Sequence, residues 1–478
     1  MKLSTLFVSG ALLLCFAQQA LCETYILATG RRDPRMYAID LRKALRPENN
    51  NTPNAIVSRS KVALDRLDGK LLGDSANIAI SEDGKTAYVV NHHGAIDNDE
   101  FVQHGGRGNI AVMNVKQMIR RKNDNTANAL ERHIDSGHFG AVGVALLKDM
   151  LIIGNAESHL TEDGGNQITF VDRKTGSLRG AVQLALGDPA GIRCPAYPVP
   201  FSSPGGPPTF QAPEGPFVHS NGALSPVPLL SPHPSWGCFP DSNGVTVARA
   251  RNGKRYLYTA NGGTDDLSVI DLDSALAGNR TAEIGRIPTQ IGPWGIATSP
   301  NGRYVVAANR ESQRVAVEGN TISVIDVENP LVEAARVRVG TDADATQTRP
   351  FIPSFTPDGK EVIIPNFRSN NVSIVNLQLA LSDPARAEVA RIPVTRPLDA
   401  DGVARPARPK GSAITADGRY AVISGGARIT TFTPSGTVWI IDLKKRQVVA
   451  TVTGVGNDPY GLAVVDVKDV KDDNDDDD

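Results

Sequence analysis

Short runs in which apolar residues alternate with small or polar ones recur along most of the chain, and turn dipeptides cut each run before helical spacing can develop. Gly295-Ile-Ala-Thr-Ser-Pro-Asn-Gly302 is followed by Tyr304 to Asn309 and, after a loop, by Thr321-Ile-Ser-Val-Ile-Asp326. The phrase returns at 352–359, 362–366 and 372–376, at 411–418, 420–424 and 437–442, and at 244–253, 256–261 and 267–271. Two further copies lie at 77–84, 88–91 and 110–114, and, most degenerate, at 143–149, 151–155 and 168–172. Each copy predicts a first strand ending at Asp-Gly or Asn-Gly, which supplies the positive φ of a tight turn. A second strand ends in Asn, a third closes on Asp or Asn, and a more polar fourth, such as Gln447-Val-Val-Ala-Thr-Val452, suits an outer edge.

Six complete copies leave two fragments that complement each other. Residues 461–467 read as a first strand with nothing after it, and 25–30, 36–41 and 55–63 as second, third and fourth strands with nothing before them. Joined, they make a seventh unit. The fold expected is therefore all-β, a seven-bladed β-propeller of four-stranded antiparallel blades, its ring closed by N- and C-terminal strands that share one blade.

The 478 residues carry 50 Lys+Arg against 52 Asp+Glu. Six Asp lie among the last seven positions, so the remainder is only about +4, too little to steer a polyanion, and no nucleic-acid partner is expected. Residues 1–22 have a charged start, the short apolar run 6–16 and the small-residue end Ala20-Leu21-Cys22, the pattern of a cleaved export signal, so a secreted or periplasmic protein starting near Glu23 is expected. The domain reading is signal 1–22, propeller 23–470 and acidic tail 471–478. Neither that run nor any other is long enough to span a bilayer, and a monomer with a small-molecule or protein ligand is expected.

The phrases Ala297-Thr-Ser-Pro-Asn-Gly, Tyr258-Thr-Ala-Asn, Leu267-Ser-Val-Ile-Asp and Tyr88-Val-Val-Asn resemble the YVTN-type β-propeller repeat, which is similar to seven-bladed lactonases and to the propeller subunits of quinoprotein amine dehydrogenases. The likeness covers about 25–467. It implies a propeller and, since family members are mostly exported with a few enzymes among them, no particular reaction. No catalytic residue carries over, because the repeated residues build turns and strands.

Three places can hold chemistry. The loop entering each first strand faces the central channel, and aligning the copies puts Trp294, Phe351, Lys410 and Tyr460 in one slot, with Ala76, Val142 and Asn243 in the other blades. Such a mouth can hold an apolar or anionic ligand by stacking and charge; the alternative is a packed plug. The loop 91–104 brings His92, His93, Asp97, Asp99, Glu100 and His104 within thirteen residues, a donor set for a divalent metal cofactor, or else a solvated excursion. The insert 187–240, between the third and fourth blades, holds 14 of the 32 prolines, six aromatics, His219 and His233, and Cys194 and Cys238. Two cysteines in an exported chain read as one disulfide, the alternative being two buried thiols.

The leading reading is a ligand-binding or protein-interaction platform. The alternative is a lactonase-like hydrolase, or a metal-assisted oxidoreductase or lyase using the loop histidines.

Overall fold

The recurring Ser/Thr-x-Asp/Asn-Gly phrase is a turn with its own side-chain clamp. Ser81, Ser299, Thr356 and Thr415 donate their hydroxyls to Asp83, Asn301, Asp358 and Asp417 at 2.6–2.7 Å. The same hydroxyls accept the backbone N–H of Thr86, Tyr304, Glu361 and Tyr420, which open the next strand, at 2.9–3.1 Å. The glycine that follows sits at φ +69° to +75° in all four turns, where a side chain would be strained.

The Asp or Asn closing each third strand has a second task. Asp40, Asn114, Asp271 and Asn376 accept the N–H of the residue three further on at 2.9–3.0 Å and cap the short helices Leu41–Ala44, Val115–Ile119, Leu272–Leu276 and Leu377–Ser382. The sequence pattern gave no sign of these helices, because four to six residues are too few to show a 3.6-residue period.

The computed structural model describes residues 23–31, 33–62, 75–92, 108–120, 129–138, 140–156, 167–185, 240–311, 317–398, 402–426 and 436–467, and the backbone alone at 66–67, 70–71, 217–218 and 224–225. Residues 1–22, His93, Asp97, Asp99, Glu100, His104, Cys194, Cys238, the rest of the insert up to 239 and the acidic tail lie outside these residues.

Seven four-stranded antiparallel sheets form the ring expected from the repeat. Blades 2 and 3 run Ser75–Ile80, Thr86–Asn91, Asn109–Asn114, Leu130–Asp135 and Ala141–Leu147, Met150–Asn155, Gln167–Asp172, Leu178–Gln183. Blades 4 and 5 run Ser242–Arg249, Arg255–Asn261, Asp266–Asp271, Glu283–Pro288 and Pro293–Thr298, Tyr304–Glu311, Glu318–Asp326, Glu333–Arg338. Blades 6 and 7 run Ser354–Phe355, Glu361–Asn366, Asn371–Asn376, Glu388–Pro393 and Pro409–Ile414, Tyr420–Gly425, Thr437–Asp442, Gln447–Thr453. The first strand of blade 6 is cut to two residues because Pro350 and Pro353 have no N–H to give the ladder, and a single bridge from Pro350 to Asn366 continues it.

Blade 1 joins the chain ends. Pro459–Val467 is its innermost strand and pairs antiparallel with Glu23–Gly30 in the register Tyr25↔Val465 and Leu27↔Ala463; Asp33–Asp40 and Ile56–Lys61 complete it. Three of the blade's four strands thus come from one terminus and its inner wall from the other.

The apolar core lies between blades rather than under one sheet. Val306, Ile322 and Val324 of blade 5 pack on Val362, Ile364 and Val375 of blade 6, and Tyr25 and Leu27 of blade 1 on Val89 and Ala111 of blade 2. Around the axis a second seam runs. Gly461, Asn77, Gly143, Gly244, Gly295, Ile352 and Gly411 each abut the carbonyl oxygen of the next blade, respectively that of Ala76, Val142, Asn243, Trp294, Phe351, Lys410 and Tyr460. In the five glycine cases an added Cβ would fall within 2.6 Å of that carbonyl (Gly244) or closer, which explains why Gly recurs there. Among the described residues no helix is long and apolar enough to cross a membrane.

Candidate functional site

Three repeated positions surround one end of the central channel. The first is the slot read from the sequence, second in the innermost strand. The second opens that strand two residues earlier, and the third follows the last residue of the neighbouring strand. Backbone bonds hold the latter two together: the N–H groups of Arg31, Ala156, Gly262, Arg310 and Phe367 donate to the carbonyls of Asp458, Gly140, Asp241, Gly292 and Arg349 at 2.8–3.1 Å. Asp241, Arg349, Arg408 and Asp458 adopt φ of +50° to +59°, a left-handed conformation that costs non-glycine residues about 1 kcal/mol or more. Gly140 takes the same left-handed conformation at this position, φ +68°, so it belongs to the turn itself.

The first slot forms a floor. Trp294, Phe351 and Tyr460 are 8%, 3% and 1% exposed and join Ala76 and Val142 in one cluster. Phe351 lies 6.2 Å from the Trp294 ring and 5.5 Å, edge-on, from Tyr460. The indole N–H of Trp294, from blade 5, donates to the Tyr460 hydroxyl of blade 1, so the pair crosses the axis. Beneath lies a channel of about 170 Å³ lined by all seven innermost strands, among them Asn77, Gly143, Gly244, Ile296, Ile352, Ser412 and Leu462. Asn243 is buried, its side-chain N–H donating to the carbonyl of Asp241 at 2.9 Å.

Cations cover this floor. The Arg310 guanidinium lies 4.1 Å from the Trp294 ring centre and 4.8 Å from Phe351; Arg31 lies 5.9 Å from Trp294 and 5.4 Å from Tyr460. Around Phe367 stand Arg349 at 4.8 Å, Arg408 at 5.4 Å and the Lys410 ammonium nitrogen at 5.5 Å. The guanidiniums thus lie against the ring faces. Three carboxylates answer. Glu311 pairs with Arg310 at 2.5 Å and Arg349 at 2.7 Å, Glu318 with Arg349 at 3.0 Å and Arg368 at 2.5 Å, and Asp458 with Lys410. Glu311 and Glu318 face each other in register at the end of the blade 5 hairpin.

The crowding shows in the ionisation. Burial pushes Arg310 down to about 10 against the pull of Glu311. Burial, then repulsion from Arg368 and Arg349, lowers Arg408. Burial and the nearby Arg31, Arg349, Arg408 and Arg310 push Lys410 well below the lysine range. Burial opposes ionisation of Glu318, yet bonds from Arg368 and the charge of Arg349 hold it below the usual carboxylate range.

In the first position blades 1, 5, 6 and 7 carry Tyr460, Trp294, Phe351 and Lys410, and blades 2, 3 and 4 the smaller Ala76, Val142 and Asn243, so the floor is lopsided. His92 takes the third position in blade 2 and is 4% exposed; its partners in the expected metal set fall outside the described residues, among which no group of three His, Cys, Asp or Glu converges. Sequence reasoning singled out the floor and Lys410 but missed Arg31, Arg310, Arg349, Arg408, Glu311, Glu318 and Asp458. The signal was one residue away: Arg349, Arg408 and Asp458 each precede the proline of the aligned phrase, and Arg310 follows the boundary Asn309.

A sequence model of the family described as lactonase, seven-bladed β-propeller, matches residues 217–320. No curated protein matches by sequence. Among solved structures, the periplasmic gluconolactonase PpgL of Pseudomonas aeruginosa is 15% identical with a TM-score of 0.53 over 92% of this chain and 99% of that one. A putative 6-phosphogluconolactonase from Bacteroides uniformis is 13% identical, TM-score 0.51, over 93% and 99%. A functionally unknown protein from Desulfotomaculum acetoxidans is 11% identical, TM-score 0.53, over 92% and 98%. The chain thus resembles lactonase-like seven-bladed propellers, a likeness of fold.

Proposed function

We propose that the protein is a lactonase-like hydrolase that receives a small anionic lactone at this mouth. The observation that carries the reading is the convergence of Arg31, Arg310, Arg349, Arg408 and Lys410 from four blades over a closed aromatic floor. With Arg368 the described residues bring five guanidiniums and the Lys410 nitrogen together beside Glu311, Glu318 and Asp458, a cluster of donors suited to a phosphate or carboxylate. The match to the lactonase propeller family and the fold likeness to the two lactonases support the choice of reaction.

In this reading water adds to the lactone carbonyl, the carbonyl oxygen gains charge, and Arg31 or Arg310 stabilises it. Glu311, at the rim beside Arg310, takes the proton from the water. Collapse breaks the ring C–O bond, Glu311 returns its proton to the departing ring oxygen, and the product is a hydroxy acid whose new carboxylate the same arginines hold. The test is the hydrolysis of 6-phospho-δ-gluconolactone and δ-gluconolactone, followed as acid release. Wild-type protein should accelerate the first more than the second. Arg310→Met should lower kcat/KM by about 10²-fold, and Glu311→Gln should lower kcat with KM little changed. No acceleration above the spontaneous rate would reject the hydrolase. Binding of 6-phosphogluconate without turnover would leave a ligand platform.

The reading also places the protein outside the cytoplasm. The pattern of residues 1–22 supports this. Envelope or secreted protein should begin at Glu23 on N-terminal sequencing; an intact Met1 would reject export.

A further inference from the structure

We propose that Lys410 is a carbonyl-capturing amine, whose ε-nitrogen forms a Schiff base with a small aldehyde or ketone that carries a phosphate or carboxylate. Lys410 occupies the floor slot that is aromatic in blades 1, 5 and 6, and its side chain is 5% exposed. Its nitrogen shares the Phe367 ring with two guanidiniums, those of Arg349 and Arg408, all three within 5.5 Å of the ring centre. One carboxylate, Asp458, faces it.

An exposed lysine at pH 7 is uncharged in roughly one molecule in 2,500, which is why surface lysines are poor nucleophiles. Lys410 differs in two ways. Its ammonium has lost its hydration, and it sits among like charges that any proton on nitrogen must oppose. Both favour the free amine, the form that attacks a carbonyl, while the paired Asp458 favours the ammonium and is the group placed to take its proton. Arginines around it cannot react, and they draw an anionic carbonyl compound towards it.

The step balances with the groups present. The nitrogen lone pair forms the C–N bond as the carbonyl π pair moves to oxygen. Asp458 carries the two amine protons to that oxygen in turn, the first making the carbinolamine hydroxyl and the second the departing water as the C–O bond breaks and the nitrogen pair forms C=N, so the products are an imine and water. Asp458 is fixed for this exchange, with φ +59° and its carbonyl accepting the Arg31 N–H at 3.0 Å. The charge of the ligand rests on the anionic-ligand reading above; the reactivity of the amine does not.

Pyridoxal 5′-phosphate, a phosphate-bearing aldehyde, is the probe. Full-length protein is incubated with it at pH 7, reduced with borohydride to fix any imine, and mapped by peptide mass. Lys410 should be labelled at least about tenfold faster than the median lysine, Lys410→Arg should remove that adduct alone, and inorganic phosphate should slow it. Labelling of Lys410 in wild-type protein no faster than surface lysines overturns the proposal, and no variant is needed for that result. Selective labelling that phosphate does not slow upholds the amine and rejects the anionic mouth. Phosphate that raises the melting temperature while Lys410 stays inert does the reverse.

Discussion

Replacing Trp294 by Ala removes the ring that closes the channel, and the structure sets the size of the loss. The indole is 8% exposed, so its removal carries the transfer and cavity cost of a buried aromatic, about 3–5 kcal/mol. Arg310 at 4.1 Å and Arg31 at 5.9 Å lose the face they stack on, about 0.5–1 kcal/mol each at a partly wet site. The Tyr460 hydroxyl loses its donor across the axis, about 1 kcal/mol more. These costs overlap, because the cations relax into the new space, and a net loss of about 4–5 kcal/mol is expected. Trp294→Phe keeps a ring and should lose only about 1–2 kcal/mol. Urea unfolding followed by far-UV circular dichroism reads both as midpoint shifts at unchanged slope. A Trp294→Ala protein within about 1 kcal/mol of wild type would show that the floor is not a packed plug, and the cationic layer would lose its foundation.

Other consequences follow from the same coordinates. Gly411→Ala drives a Cβ into the Tyr460 carbonyl of the closing blade and should cost about 1–3 kcal/mol, read as a lower melting temperature; Gly278→Ala, with open space around it but φ +96°, gauges the backbone strain alone. Deleting 462–478 removes the inner wall of blade 1 and bares the edge of Glu23–Gly30, so aggregation is expected on size-exclusion chromatography, whereas deleting 471–478 should change nothing. A soluble longer truncation with an unaltered melting curve would refute ring closure. Asp266 is buried against Arg286, Glu283, Asn261 and Thr264, and burial raises it to about 6. Its folded value exceeds the unfolded one near 3.9, so its contribution is full below about pH 4 and is lost as pH rises through 6. Wild type should therefore lose stability relative to Asp266→Asn between pH 5 and 7.5; a pH-independent difference would refute the raised value.

The strand pattern made the ring legible because every repeated residue had a local reason. Gly302 needs its positive φ, Ser299 clamps the turn, and Gly295 leaves room for the Phe351 carbonyl. Closure was legible because the two unfinished fragments added up to one blade. The short helices were hidden: Asp271 and Asn376 read as strand ends, and their capping bonds form only once the chain has turned. The mouth was half legible. Trp294, Phe351, Lys410 and Tyr460 stood out because they vary within a constant frame. Arg31 did not, since it lies at the far end of a blade 1 strand and reaches Trp294 only when blades 1 and 5 are brought to opposite sides of one axis, and Arg310 did not, since it meets Trp294 only through the hairpin register that pairs Pro293 with Asn309. Arg349 and Arg408 escaped because a residue before proline reads as a turn, and the left-handed backbone that aims them inward is not written in composition.

The account stands most directly on whether that mouth is an anion site. Calorimetric titration of 6-phosphogluconate into wild-type, Arg31→Met and Arg310→Met proteins, at low and at physiological salt, measures it. The account predicts one site per chain, about 10–100-fold weaker in each variant, with affinity that falls as salt rises. Equal affinity in all three proteins, or binding indifferent to salt, would contradict it.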